Sequence, residues 1–326
     1  MPASRLNIIF GIVTMLVLVP YLTGWVLPSG FDTWVLIVSL AVTGIPHGAI
    51  DHVIFIQNQK GSGQKSNLFK SFFTPYLIMI GTTFVLWFVI PQFMFLFFLM
   101  VAAYHFGQSQ LFYISLAKKS MKKTMLYLSW GSFILSSLWF FHWNEQSTII
   151  KSVFDWNLAT SGLIYTIVLL LLILSGLATG FLLLYFYRKQ ILPGKMLLQE
   201  FAVLGLLTAI FSYTPPFIAF AIYFGLWHAT RVIFTEYHFL KNRNGQKLLI
   251  FSFVKSFLPF SILSFLGLGL LFWFSRLLQA SISPFMLFLI FISALTMPHA
   301  YFMEQMYQFL GKARKNGEST TALQIS

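Results

Sequence analysis

The chain has 326 residues, of which 58% are hydrophobic and only 9% charged, with a mean hydropathy of +0.79. Soluble domains carry about 25% charged residues, so this balance excludes a soluble globular fold, and an aromatic content of 19% excludes a disordered chain. Zero cysteines exclude disulfides, iron–sulfur clusters, thiolate zinc sites and cysteine nucleophiles, and the net charge of +13 reads as a membrane-topology signal rather than a nucleic-acid one, because the basic residues fall in short loops between apolar runs.

A membrane-spanning helix needs about 20 apolar residues. Ten such segments follow one another: Leu6–Leu27, Thr33–Ile56, Ser71–Ile90, Phe93–Tyr113, Met125–Trp143, Ser161–Tyr187, Leu197–Tyr213, Pro216–His238, Leu249–Phe274 and Ser283–Met306. The first is read as a retained anchor, since its apolar run exceeds that of a leader and no small-residue cleavage site follows. The expected fold is therefore all-α: a polytopic bundle of about ten transmembrane helices, one domain over 1–311, with a basic tail at 312–326.

Loop charge tests this count. The connections at Pro28–Asp32, Pro91–Gln92 and Thr214–Pro215 carry no Lys or Arg, the 144–160 loop carries only Lys151, and the 275–282 loop only Arg276. The alternate side holds Arg5; Lys60, Lys65, Lys70; Lys118, Lys119, Lys122, Lys123; Arg188, Lys189, Lys195; Lys241, Arg243, Lys247; and Lys312, Arg314, Lys315. That is 17 basic residues against two, with only Arg231 and Lys255 inside helices. Basic loops stay in the cytoplasm, so both termini are expected there, and the chain in the cell (inner or plasma) membrane.

Ionisable side chains are costly within a bilayer, so their positions carry information. Among seven histidines, His142 and His238 lie at helix ends and read as interfacial residues. His47, His105, His228 and His299 instead lie inside segments 2, 4, 8 and 10, which run in the same direction. Each follows its helix start by 12 to 16 residues, which at 1.5 Å per residue is a shared depth of about 18–24 Å. Ordinary packing explains a single buried histidine, but apolar composition does not require four at one level. Neutral imidazole is a common ligand for iron, copper, zinc and nickel, and bundle metal sites are built from inward side chains on facing helices.

Neighbouring residues suggest support for such a site. Asp51 is four residues after His47 and could accept an imidazole N–H. Ser109 has the same spacing from His105, and Gln108 is three residues on. His52 lies about 140° around the helix from His47 and stands as the alternate ligand. Gly44, Gly48, Gly107 and Gly225 suit either close helix packing or room for a metal and substrate. Pro46 and Pro298 precede His47 and His299 and are expected to kink their helices. Glu236 and Glu304 are expected to meet water or basic partners near the helix ends, Arg231 to snorkel or pair with an acid such as Asp51, and Lys255 to snorkel.

Read in order, these segments resemble a known family. Pro46-His47-Gly48-Ala49-Ile50-Asp51-His52 is similar to the Pro-His-Gly-Ala-x-Asp element of the Brp/Blh family of membrane β-carotene 15,15′-dioxygenases. Tyr104-His105-Phe106-Gly107, Trp227-His228 and Met297-Pro298-His299 resemble that family's later histidine elements. The resemblance implies non-haem Fe(2+) held by histidines, cleaving the central double bond of β-carotene with O2 to give two retinals. His47, His105 and His228 match three of the family's ligand positions. Some relatives carry a further histidine where this chain has Val232, so the fourth ligand is His299 by depth, or His52. The partners implied are β-carotene, O2, the lipid bilayer and a retinal-accepting rhodopsin, with no nucleic acid. The alternative reading is a metal- or proton-coupled transporter, since intramembrane His, Asp and Glu also mark ion pathways.

Overall fold

The computed structural model describes residues 3–60, 67–114, 120–147, 162–243, 248–279 and 282–315, and among these every regular element is a helix. The ten expected segments are all present as helical spans: α1 (Ala3–Leu22), α2 (Phe31–Gln59), α3 (Phe69–Val89), α4 (Pro91–Leu111), α5 (Met121–Phe141), α6 (Gly162–Arg188), α7 (Gly194–Tyr213), α8 (Pro216–Asn242), α9 (Ile250–Leu277) and α10 (Pro284–Lys315). Nine are long and apolar enough to cross a membrane by length and composition. The other, α4, has 21 residues. Its hydropathy is diluted by His105, Gln108, Ser109 and Gln110, all of them buried.

Two ends differ from expectation. The first helix stops at Leu22, short of Leu27, and Gly24 just beyond it takes φ 73°, the left-handed conformation that commonly terminates helices. At the other end α10 continues to Lys315, so the first residues of the expected tail are helical, while 316–326 lie outside the described residues. So do Lys65, Lys118, Lys119, Lys151 and Lys247.

Apolar side chains face outward over much of α1, α6 and α9, as on Leu16, Leu174, Leu177, Phe251 and Leu266. Polar groups collect inside. This is the arrangement a bilayer favours, because lipid solvates hydrocarbon while polar groups must find partners within the protein. In α9, only Phe253 and Ser261 are buried, and Lys255 is exposed.

The central pair α4 and α5 approaches backbone to backbone. A Cβ at Gly107 would collide with the Tyr127 carbonyl of α5, and one at Gly131 with the Ala103 carbonyl of α4. The contact is reciprocal, one helical turn apart on each helix, as small residues permit in membranes. Gly107 therefore serves packing and makes no room at the histidines.

Two of the four histidine-bearing helices, α2 and α8, depart from α geometry where the histidine sits, while α10 stays α-helical through Pro298. In α2, an α segment ends at Ser39, a π turn covers Leu40–Gly44, a 3-10 turn covers Pro46–Gly48, and α geometry resumes at Asp51. Pro46 has no N–H to give an i→i−4 bond, which accounts for a break here. In α8, a π segment spans Ile222–Ala229 and contains His228. In α10, Pro298 is carried inside the helix immediately before His299. Such bulges recur at functional sites because they re-aim side chains.

Arg231 neither snorkels nor meets Asp51. Its side chain is buried, donating from Nη2 to Asn7 Oδ1 of α1 at 2.5 Å and from Nε to the Trp227 carbonyl at 3.4 Å, with its guanidinium 5.7 Å from the Phe10 ring centroid. Glu200 of α7 lies within electrostatic reach of it. The Glu200 carboxylate accepts bonds from Gln110 Nε2 at 3.1 and 3.0 Å and from Tyr113 OH at 2.9 Å. The network ties α1, α4, α7 and α8 together and keeps a buried charge satisfied.

Candidate metal centre

His47, His105, His228 and His299 come together from four helices, each of them buried. Their rings form a closed circuit. His47 is 5.3 Å from His228 and 4.8 Å from His299 between centroids, and His105 is 5.0 Å from each of those two. Successive rings are nearly perpendicular, at 80° to 89°. Ligand nitrogens of His47, His105 and His228 lie within 4.8 Å of one another.

These spacings fit one shared ion. A ring nitrogen about 2.1 Å from a metal places its ring centroid about 3.2 Å away, so two such rings at right angles stand about 4.6 Å apart. The observed 4.8–5.3 Å is close to that value. Each ring also keeps a buried nitrogen with no protein partner: Nδ1 of His47, both nitrogens of His105, and Nε2 of His228 and His299. Five unsatisfied imidazole nitrogens on four crowded rings would be costly as plain packing. As a donor set without thiolate, they suit iron, copper, zinc or nickel.

The remaining nitrogens set the tautomers. Ser109 Oγ donates to the Phe106 carbonyl at 3.0 Å and accepts from His228 Nδ1 at 2.9 Å, which leaves His228 Nε2 deprotonated toward the centre. His299 Nδ1 donates to Asp51, at 2.9 Å to Oδ1 and 3.2 Å to Oδ2. Tyr76 of α3 donates its hydroxyl to Asp51 Oδ2 at 3.3 Å. Holding the distal N–H in this way orients a ligand ring and raises its basicity. Phe106 packs edge-on to His228 at 4.7 Å, and Phe224 stacks on it at 5.6 Å while meeting His47 edge-on at 5.7 Å.

Several expected residues take other places. His52 packs its ring against Phe260 at 4.4 Å and Phe72 at 6.5 Å, facing α9 and α3, and does not join the four histidines. The 3-10 turn between His47 and Asp51 shifts the angular register of α2, so i+4 spacing no longer means a shared face. Asp51 accordingly serves His299 of α10, and Ser109 serves His228 rather than His105 of its own helix. Gln108 lies beside the His105 ring and donates from Nε2 to Glu304 Oε2. Gly48 faces the His299 ring, Gly44 the Phe224 ring, and Gly225 the Ser39 and Thr43 hydroxyls. His142 ends α5 and His238 packs beside Tyr237, so neither belongs to the centre. Tyr76 had no signal in the sequence, because its link to Asp51 spans two helices.

Residues 38–307, which include all four histidines, match the family model described as beta-carotene 15,15′-dioxygenase. The chain belongs to this family. Its members are carotenoid-cleaving dioxygenases, and this chain is an enzyme of that class rather than a transporter. A curated relative from the uncultured marine bacterium 66A03, named beta-carotene 15,15′-dioxygenase, is 24% identical over 279 residues, covering 84% of this chain and 94% of the relative. No solved structure gives a significant match. The family match begins within α2 and ends just beyond Glu304 in α10, so it spans every helix of the histidine cluster and leaves α1 outside.

Asp51 is the carboxylate that touches a ring of the cluster. Asp51→Asn is expected to weaken retention of a metal ion at this centre about 10–100-fold by loosening the His299 ring. The check is metal content after equilibration against graded chelator, with Tyr76→Phe as a milder companion.

Proposed function

We propose that the chain cleaves the central 15,15′ double bond of β-carotene with O2, using Fe(2+) held by His47, His105, His228 and His299, and releases two molecules of all-trans-retinal. The observation that carries this reading is the set of four buried rings, each with an unpartnered nitrogen, inside the family-matched span. Ferrous iron, when bound, supplies the one-electron chemistry that lets O2 react with an alkene.

The protein's own residues then do the remaining work. Four rings from four helices fix the donor positions, and Asp51 and Ser109 hold two of them in the tautomer that presents Nε2 inward. The Asp51 carboxylate offsets part of the metal's charge in a low-dielectric interior. Phe106 and Phe224 keep that side of the centre apolar, which limits water and side reactions. In the overall reaction one carbon–carbon double bond breaks and two carbonyls form, with both oxygens drawn from O2 and no net proton exchanged. Substrate and product are lipid-soluble, so a centre within the bilayer receives and releases them laterally. A retinal-accepting rhodopsin in the same membrane is the partner that product implies. The basic-loop bias supports a cell-membrane location with both termini in the cytoplasm.

Expression in bacteria that make β-carotene tests the reading. The cells are expected to lose their orange colour and accumulate retinal, with label from 18O2 in both aldehydes. Persistent colour without retinal, in cells containing folded and iron-loaded protein, would overturn it.

A further inference from the structure

A second layer of polar groups lies beneath the histidines, toward the end of the bundle that carries the basic loops. Each histidine-bearing helix contributes to it. Asp51 follows His47 by four residues, Gln108 follows His105 by three, Glu236 follows His228 by eight, and Glu304 follows His299 by five. At 1.5 Å per residue these groups stand about 5–12 Å from the histidine level. Asp51 is engaged by His299. Gln108 of α4 meets Glu304 of α10, and Tyr307 of α10 packs in one cluster with Val232, Phe239 and Leu240, which flank Glu236 on α8. Glu304 accepts from Tyr104 OH at 3.0 Å, from Gln308 Nε2 at 2.6 Å and from Gln108 Nε2. Tyr307 lies within electrostatic reach of both Glu236 and Glu304.

Glu236 is the exceptional member. It is 0% exposed, and neither carboxylate oxygen has a protein partner. The Tyr307 hydroxyl is also buried and unpartnered. Around Glu236 the packing is apolar, with Val232, Phe239, Leu240, Met303 and Met306 in one cluster. The nearby buried cation, Arg231, is turned to Asn7 and the Trp227 carbonyl. A carboxylate sequestered without a partner costs several kcal/mol in folding terms (on the order of 2–7 for a neutral polar group, more for a charge). The proposed reaction exchanges no protons, so it gives this acid no task as a proton donor.

We propose that Glu236, Glu304 and the Tyr307 hydroxyl form an all-oxygen transit site, through which a divalent metal ion passes from the basic end of the bundle to the four histidines. This rests on the four-histidine reading above. Oxygen donors hold first-row divalent ions less tightly than a set of imidazoles. An oxygen layer below a nitrogen layer therefore makes a downhill sequence for Fe(2+), weak enough to release and strong enough to draw the ion through an apolar interior. The basic loops repel cations, so on that side the buried carboxylates are what attracts them.

Loading kinetics test the proposal. Chelator-stripped full-length protein in detergent is mixed anaerobically with Fe(2+), and protein-bound iron is measured against time after rapid desalting. Glu236→Gln keeps the shape and removes the charge. It is expected to slow loading at least about tenfold while reaching the same final iron content per chain, and Tyr307→Phe is expected to slow it about threefold. Wild-type loading rates in both variants would overturn the proposal alone, as would a Glu236→Leu variant that is more heat-stable and loads normally. A wild-type chain that takes up no iron would overturn the four-histidine reading and this proposal with it.

Discussion

His105→Ala is expected to abolish iron retention and retinal formation together. Among the four rings His105 has both nitrogens buried with no close hydrogen-bond partner, only the Gln108 amide standing beside it, so the change bears mainly on the donor role. It sits between His228 and His299 in the circuit, each 5.0 Å away, and α4 around it is regular helix whose Ser109 also holds His228. Removing it opens one side of the site while leaving Asp51 on His299 and Ser109 on His228 intact. Purified variant should fold, carry less than about a tenth of the wild-type iron at matched chelator, and give no detectable retinal. His47→Ala and His228→Ala are expected to behave alike. Full iron content and turnover in any one of them would remove that residue from the ligand set. His52→Ala provides the contrast: its ring lies against Phe260 and Phe72, and its iron content is expected to match wild type.

Gly131→Ala is expected to have the largest effect on folding of any single methyl group. The added Cβ meets the Ala103 carbonyl, which is backbone and cannot rotate aside as a side chain would. Relief requires α4 and α5 to separate, and α4 carries His105 two residues from Ala103 and two from Gly107. Overpacking of side chains typically costs about 1–3 kcal/mol; a backbone clash on a helix pair is expected to exceed that, with loss of folded yield in detergent and of iron binding. Gly107→Ala, against the Tyr127 carbonyl, is expected to do the same. Gly81→Ala in α3 meets nothing within 4 Å, and is expected to be neutral or slightly stabilising by helix propensity. Size-exclusion profiles and thermal unfolding of the three variants check this; a monodisperse Gly131→Ala protein with wild-type stability would contradict the close helix contact.

The sequence by itself determined the spans and the level of the histidines. Lipid penalises every charge and unpaired polar group, so apolar runs of spanning length stand out, and each imidazole within one is conspicuous at a readable depth. His47, His105, His228 and His299 were legible for that reason, since depth is linear in residue number along a helix. Rotation about the helix axis is not. It depends on where the 3.6-residue period is interrupted, and the 3-10 turn at Pro46–Gly48 and the π segment at Ile222–Ala229 both reset it. Only the tertiary structure therefore decided that Asp51 serves His299 and Ser109 serves His228, that His52 faces away, and that Tyr76 completes the Asp51 contact. The same holds for Glu236, whose place near a helix end suggested water or a basic partner. Its burial without one follows from how α8 and α10 pack, which residue spacing along a single helix does not encode.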